Sequence, residues 1–411
     1  MTYFLLSNAM ELAFTVTNLV IAAIMAGISG VWVYFLAYMS KSFRQAPTLE
    51  SFDRTGATRL PQVSVILPAR NEENYIARCL DSILTQDYPK FEIIAINDSS
   101  TDRTGELIKE YATKDPRVVF INAPPKPEGW VGKNWACHEG YLRAKGEVLL
   151  FTDADTEHAP SAMSLAIGQL VSENLDALTA VPKLLCNDFW TKITLPGLAT
   201  FLHTRFSPLR VNDPNTRTGY FFGSFFVITR ITYEAVGTHK GVRQELVEDG
   251  ALGGKVKEGR FRMKMVRGEN QIKAVWARDL PTLWQGLRRL MISVYFQNKS
   301  GAYMMAVAVL FILFVPFALL PYLAAATLAN NISFQILLGL QLAAIALIIA
   351  TTAVQCRFGV FENPAYALAS PLSGALISFG FLSAIAVARK KGAVSWRDRQ
   401  YTISKNQHPL R

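Results

Sequence analysis

The sequence predicts an α/β domain with a mostly parallel sheet, set between helices apolar enough to cross a membrane. Three observations carry this expectation. Short β-rich runs alternate with helical periodicity from Val63 to Lys183, polar clusters follow several of those runs, and four long apolar stretches lie outside the block. Half of the 411 residues are hydrophobic and mean hydropathy is positive, which places part of the chain in lipid.

The apolar stretches run from Leu12 to Met39, Ala302 to Ala329, Phe334 to Val354 and Ala365 to Ala388. Each is long enough for a helical crossing, which takes about 20 residues. The first is too long for a signal-peptide core and has no basic region ahead of it, so residues 1–45 read as an uncleaved anchor. Lys41 and Arg44 follow it, and by the positive-inside rule they hold its carboxyl end in the cytoplasm, together with the polar domain 46–280. The other three runs make a membrane region over 302–388, ahead of a basic tail over 389–411. Three further crossings put that tail outside, whereas Arg389, Lys390, Lys391, Arg397 and Arg399 argue for inside. One of the last three runs is therefore expected to be re-entrant or interfacial. Just before them, within 281–301, PTLWQGLRRLMISVYF spaces Trp284, Leu287, Leu290, Met291, Val294 and Tyr295 like an interfacial helix. A plain amphipathic core helix fits it equally well.

Within the polar domain, VSVILPA, FEIIAIND, VVFINA, EVLLFTDAD and ALTAVPK read as strands separated by helices. In the first of these helices Ile76, Leu80, Ile83 and Leu84 share a face. Such alternation favours a parallel sheet, whose ligands gather at the carboxyl ends of the strands. PARNEE, NDSSTD and DAD then fall on one rim. No GxGxxG and no GxxxxGK[ST] follows the first strand, so dinucleotide and P-loop readings fail. The formal charge of +10 has no basic, aromatic-interleaved stripe behind it, so an anionic membrane surface is preferred over nucleic acid. Four cysteines without a CxxC pair indicate neither zinc nor a disulfide framework, and fit a reducing compartment.

Asp153 and Asp155 sit where the strand EVLLFT emerges into solvent. Two carboxylates at i and i+2 on a strand end can share a hard divalent cation, magnesium or manganese, with a diphosphate, and the cation then acts as a Lewis acid on the departing oxygen. The string DxD alone reads as a solvated turn; its place after LLFT raises its weight. His158 beside this turn reads as a structural hydrogen-bonder and stays outside the metal set.

PARNEE, FEIIAINDSSTD, GWVGKNWA, LLFTDAD, GYFFGSFFVITR and VEDGAL, in this order between Val63 and Tyr295, resemble a family 2 glycosyltransferase with the GT-A fold. The resemblance implies a membrane-anchored inverting enzyme that takes a nucleotide-diphosphate sugar, with uridine the expected nucleoside. It makes Asp98 a nucleobase contact, with Asn97 where many members have Asp, and Asp153 and Asp155 the diphosphate and metal residues. Asp249 matches the base that deprotonates an acceptor hydroxyl, with Glu248 beside it; the bland alternative is helix-start chemistry. Lys133 opens a helix after a glycine, a place for an anion contact. Glu72 stands where the nucleoside is held, and an ordinary acidic first turn is its alternative. Gln285 and Arg288 partly match QxxRW, without its Trp, which favours single transfers over processive synthesis. Arg288, or its neighbour Arg289, then faces the diphosphate or snorkels at the headgroups. Phe221, Phe222, Phe225 and Phe226 form either an acceptor floor or a buried strand.

The segments GWVGKNWACHEG, DADTEHAP and VSWRDRQY are similar to the branch associated with hopanoid and carotenoid glycosylation, with Asp398 in place of a Gly. That implies a lipid-like acceptor; polyprenyl phosphate and a growing polysaccharide remain alternatives. A nucleotide-sugar-binding pseudoenzyme has no need of Asp249. A transporter needs ionisable groups at depth, and the four apolar runs contain none.

Overall fold

The computed structural model describes residues 2–51, 60–327, 332–391, 393–396 and 399–402, with side chains from 15 to 389 among them. Arg397, Asp398 and the last residues of the run ending at Ala329 lie outside the described residues.

Seven strands form the main sheet: β1 (Val63–Ala69), β2 (Phe91–Asn97), β3 (Val118–Asn122), β4 (Val148–Phe151), β6 (Ala177–Val181), β8 (Phe226–Thr229) and β9 (Met263–Arg267), in the order β3-β2-β1-β4-β8-β6-β9. Residues 63–69 are buried throughout, as a strand covered on both faces must be. β1 pairs in parallel with β2 and β4, and β2 with β3. β8 alone runs antiparallel, wedged between β4 and β6. A smaller sheet, β5-β10-β7, joins β5 (Thr156–His158), β7 (Lys183–Cys186) and β10 (Ile272–Ala277).

Helices α2 (Ile76–Leu84), α3 (Thr104–Lys114), α4 (Gly132–Arg143) and α5 (Ala162–Ser172) return the chain between the parallel strands. α2 buries Ile76, Cys79, Leu80 and Ile83, the expected face with Leu84 at its margin. All four cysteines are buried and free.

Outside the domain, α1 (Thr2–Gln45), α14 (Ile332–Gln355) and α15 (Ser370–Lys391) are long and apolar enough to cross a membrane. The run beginning near Ala302 is broken instead: α11 (Lys299–Leu313) meets α12 (Val315–Ala318) and α13 (Leu320–Ala326) at a bend of 45°. Pro316 and Pro321 follow the break and each removes a helical N–H. α6 (Phe189–Arg205), the short α7 (Pro208–Val211) and α8 (Arg230–Ala235), α9 (Glu248–Glu258) and α10 (Leu280–Gln297) complete the helices. α10 opens on an Asp279–Thr282 capping box. It buries Leu287 and Met291 in one apolar cluster with Trp32 of α1, Ala306 of α11, Ile348 of α14 and Phe381 of α15. The predicted interfacial segment is thus a helix packed on the apolar bundle.

α9 lies against the extended segment before β8 through Gly253. A Cβ there would stand 2.7 Å from the Phe221 nitrogen and from the Tyr220 carbonyl carbon, whereas at Gly254 it would meet nothing within 4 Å. Gly253→Ala is therefore expected to lower the melting temperature, overpacking costing about 1–3 kcal/mol. Gly254→Ala is expected to hold or raise it through helix propensity. Thermal unfolding of the two variants in detergent checks the pair; equal behaviour would mean that this helix is not seated as described.

Candidate active site

The carboxyl ends of β1, β2 and β4 open into one cavity of about 290 Å³. After β2, the backbone N–H of Asp98 donates to the Ala69 carbonyl, 2.8 Å away, and Arg70 Nη1 donates to the carbonyls of Asp98 and Ser99, also at 2.8 Å. The loops after β1 and β2 thus clasp each other and hold Asp98 and Glu72 on the cavity wall. Asn97 Nδ2 donates to Asn122 Oδ1 (2.9 Å), and Asn97 Oδ1 accepts from the Ser100 N–H (3.1 Å). An aspartate could not make the first of these bonds, which accounts for the amide. Glu72 is buried and ion-paired with Arg278, which lies over the Tyr75 ring.

After β4 the chain leaves the main sheet for β5 of the smaller one. That change of sheet takes Asp153 and Asp155 off the pleat and brings both onto the cavity wall. His158 is buried and faces Thr152 Oγ1 (3.1 Å) and Ser82 Oγ (3.3 Å); burial holds it neutral, its pKa lowered to about 4. It is a structural contact, as expected.

Lys133, on the first turn of α4, places Nζ 2.7 Å from Asp153 Oδ1 and 2.7 Å from Glu248 Oε1. Asn134 anchors that turn by donating to the carbonyls of Val242 (2.8 Å) and Glu245 (3.0 Å), in the loop leading to α9. Burial opposes the Lys133 charge, but Asp153, Glu248 and Asp249 together outweigh it and raise its pKa well above the usual value. Asp249 follows Glu248 on α9. Its Oδ2 accepts from the Gly223 N–H (2.8 Å) and its Oδ1 from the Gly250 N–H (2.8 Å). The N-cap of α9 is Val247, so Asp249 is no cap. A Cβ on Gly223 would lie 2.9 Å from Asp249 Oδ2, 3.1 Å from Lys133 Nζ and 3.3 Å from Asp153 Oδ2. The missing side chain leaves room where these three groups converge.

Of the sequence-predicted residues, Glu72, Asp98, Lys133, Asp153, Asp155 and Asp249 all line this cavity. Arg288 does not: its Nε and Nη2 donate to Ser383 Oγ of α15, at 3.0 and 2.6 Å. Arg289 lines the cavity instead, because one residue along a helix turns the side chain by about 100°. The aromatic floor also divides. Tyr220 and Phe222 face the cavity while Phe221 between them is buried, since extended backbone sends alternate side chains to opposite faces; beyond the turn at 223–224, Phe225 and Phe226 are both buried, in two different apolar clusters. Sequence reasoning missed His203, Trp276 and Gln355, which also line it. Gln355 sits at the end of a span, where the polar letter breaking an apolar run was the available signal.

A divalent cation fits this chemistry. Asp153 and Asp155 offer hard oxygen donors, and the cavity carries seven carboxylates against the four cations Arg70, Lys133, Arg267 and Arg289. Among the described residues no group of three or more His, Cys, Asp or Glu is placed to hold a metal. Such an ion therefore needs further oxygens from a bound ligand or water.

A parallel-dominated sheet, paired acidic residues after β4 and a third after β8 together define a GT-A glycosyltransferase domain. Residues 64–249 match the model of the family Glycosyl transferase family 2. The 4,4'-diaponeurosporenoate glycosyltransferase of Staphylococcus aureus (strain USA300) is 26% identical over 363 residues, 84% of this chain and 89% of that protein. The probable glycosyltransferase YdaM of Bacillus subtilis (strain 168) is 33% identical over 160 residues, which span 38% of its own length. The mannosyltransferase PcManGT from Pyrobaculum calidifontis, solved in complex with GDP-Man and Mn2+, shares the fold: its TM-score is 0.51 at 17% identity, over 90% of this chain and 98% of that one.

Burial first, and then the Glu248 charge, raise the Asp249 pKa to about 6. The carboxylate accepts a proton only when ionised, so its basic form is lost as pH falls through about 6. The transfer rate is expected to rise across that range and level off above it. Glu248→Gln removes a like charge and is expected to move the acid limb to lower pH. A pH–rate profile of both proteins is the check, and an unmoved limb would detach it from this carboxylate.

Proposed function

We propose that this chain transfers a sugar, with inversion, from a nucleotide-diphosphate sugar to a lipid-like acceptor that enters the cavity from the membrane. One observation carries the reading. The cavity that holds the acidic cluster is continuous with an apolar arm walled by Phe43 at the end of α1, Leu195 and Ala199 of α6, and Phe358 and Phe361 just beyond α14. The relative named for diaponeurosporenoate, a long apolar acid, supports an acceptor of this kind.

Asp98 and Glu72 hold the nucleoside, and Lys133 swings from Asp153 toward the diphosphate. On the sequence resemblance the base is uracil. Asp249 takes the proton of the acceptor hydroxyl as its oxygen bonds to the anomeric carbon, and the bond from that carbon to the diphosphate breaks with its electron pair leaving on phosphate. When bound by Asp153 and Asp155, magnesium or manganese supplies Lewis-acid stabilisation to that leaving group.

Phe43 and Gln355, the ends of α1 and α14, border the same cavity. With the domain in the cytoplasm, both helices run toward it and the bent run 299–326 crosses the other way. α15 then stays on the domain side. Its Ser373 and Ile377 lie at Gly197 of α6, its Gly380 lies on Leu287 of α10, and its Ser383 is bonded to Arg288 of the same helix. This arrangement leaves the basic tail inside, as its charges require.

Two measurements test these readings. Purified protein given a panel of labelled nucleotide sugars, Mn2+ and total lipid extract is expected to yield a labelled lipid identified by mass. Asp249→Asn is expected to cut that transfer by about 100-fold or more while nucleotide binding persists, and unchanged turnover would remove the base assignment. For topology, single cysteines placed at Thr327 and Leu368 are expected to label from opposite sides of sealed vesicles, and one placed at Arg389, beyond most of α15, from the same side as Leu368; labelling at 389 from the side of Thr327 would reject the arrangement.

A further inference from the structure

The apolar arm is not wholly apolar. His203 of α6 and Gln355 of α14 both line the cavity, and His203 Nε2 and Gln355 Oε1 are buried with no hydrogen-bond partner among the described residues. Gln355 is 2% exposed. Its amide lies so close over Gly359 that a Cβ there would collide with Nε2. The His203 ring is stacked on Phe43, 4.6 Å between centroids, and Phe43 in turn faces Phe358 at 6.1 Å. The two polar groups are therefore set among aromatic rings at the membrane end of the cavity, away from the carboxylate cluster.

A buried polar atom left unbonded costs about 1–3 kcal/mol, and a ligand that meets both atoms regains that energy. The amide oxygen accepts only, so the ligand group facing it must carry a hydrogen. Burial, and then the nearby Arg267, lower the His203 pKa to about 4, so the imidazole is neutral and its Nε2 can donate or accept. A hydroxyl is suited to either partner, since it can give its hydrogen to Gln355 and take one from His203. A carboxylate has no hydrogen to give, so it leaves the Gln355 oxygen unmet.

We infer that His203 and Gln355 form an acceptor-recognition site that selects lipids bearing a neutral hydroxyl and discriminates against lipid carboxylates. This rests on the proposed function in taking the arm as the acceptor's route. It separates this chain from the relative whose name denotes a carboxylate acceptor.

The test uses the full chain in detergent with three probes: hexadecanol, its methyl ether and palmitate. Binding is read from tryptophan emission, since Trp276 is on the cavity wall, with Trp276→Phe as the control that the signal comes from this cavity. The wild type is expected to bind the alcohol about tenfold more tightly than either analogue, the net worth of one hydrogen bond being roughly that factor. In Gln355→Leu and His203→Phe the preference is expected to fall to within about twofold. Gly359→Ala leaves both side chains in place but displaces the amide, and is expected to do the same; it decides the matter if the other two do not fold. Nucleotide binding reports folding in each variant. Equal wild-type affinity for alcohol and palmitate, or a preference that survives all folded variants, overturns the inference. Alcohol selectivity with no sugar transfer to any lipid would retire the proposed function and leave this site standing.

Discussion

Two like charges about 4 Å apart repel by about 4 kcal/mol at an effective dielectric near 20. Asp153, Glu248 and Asp249 converge on one region of this cavity, and the Lys133 ammonium is what lets them do so. It bridges Asp153 from the β4 turn and Glu248 from α9, joining two elements that are far apart in sequence. The glycine between them is as necessary as the charge: any side chain at position 223 would fill the point at which Asp249, Lys133 and Asp153 meet. Because Lys133 is about one-third exposed, and lines the cavity, the pair is not sealed off. An incoming diphosphate and its cation can exchange with the ammonium without the protein unfolding around them.

The same arrangement tells which parts of the chain were legible beforehand. Parallel strands expose their carboxyl ends on one rim, so reading the alternation of VSVILPA, FEIIAIND and EVLLFTDAD already fixed where Glu72, Asp98, Asp153 and Asp155 would meet. Motif order carried Asp249 into the same place. What was not legible depended on geometry that period alone does not encode. β8 runs antiparallel within an otherwise parallel neighbourhood, and β5, β7 and β10 leave the main sheet for another; each of these strands has only three to six residues, too few to show a pattern. Arg288 and Arg289 are adjacent letters whose directions diverge on a helix, and only packing against α15 decides which one reaches the cavity. Asn97 looked like a mild departure from an acidic motif; its bond to Asn122 shows an amide doing what a carboxylate cannot.

The domain and the apolar helices are not two bodies joined by a tether. Trp32 Nε1 in α1 donates to the Ile312 carbonyl at the end of α11 (3.1 Å), Tyr38 of α1 is bonded to Ser207 beside α6, and Arg267 at the end of β9 donates to the Phe43 carbonyl (2.9 Å). The first bond holds two bundle helices together, and the other two tie α1 to elements of the domain beside the cavity. The last turn of α1 is therefore itself part of the cavity wall.

That shared wall bears on how an apolar acceptor meets a charged donor. Moving a lipid into water to reach a soluble site would cost about 0.8 kcal/mol for each methylene exposed, a prohibitive sum for a long chain. On the proposed function, a site whose far side is made from the ends of α1 and α14 would remove that step: the hydrocarbon would stay against Phe43, Phe358 and Phe361 while only the polar end advanced. The donor would conversely enter from the rim of the sheet, where Lys133 is about one-third exposed. On the proposed function the two substrates, of opposite solubility, approach from opposite ends and meet at the space kept open at Gly223, between Asp249, Lys133 and Asp153.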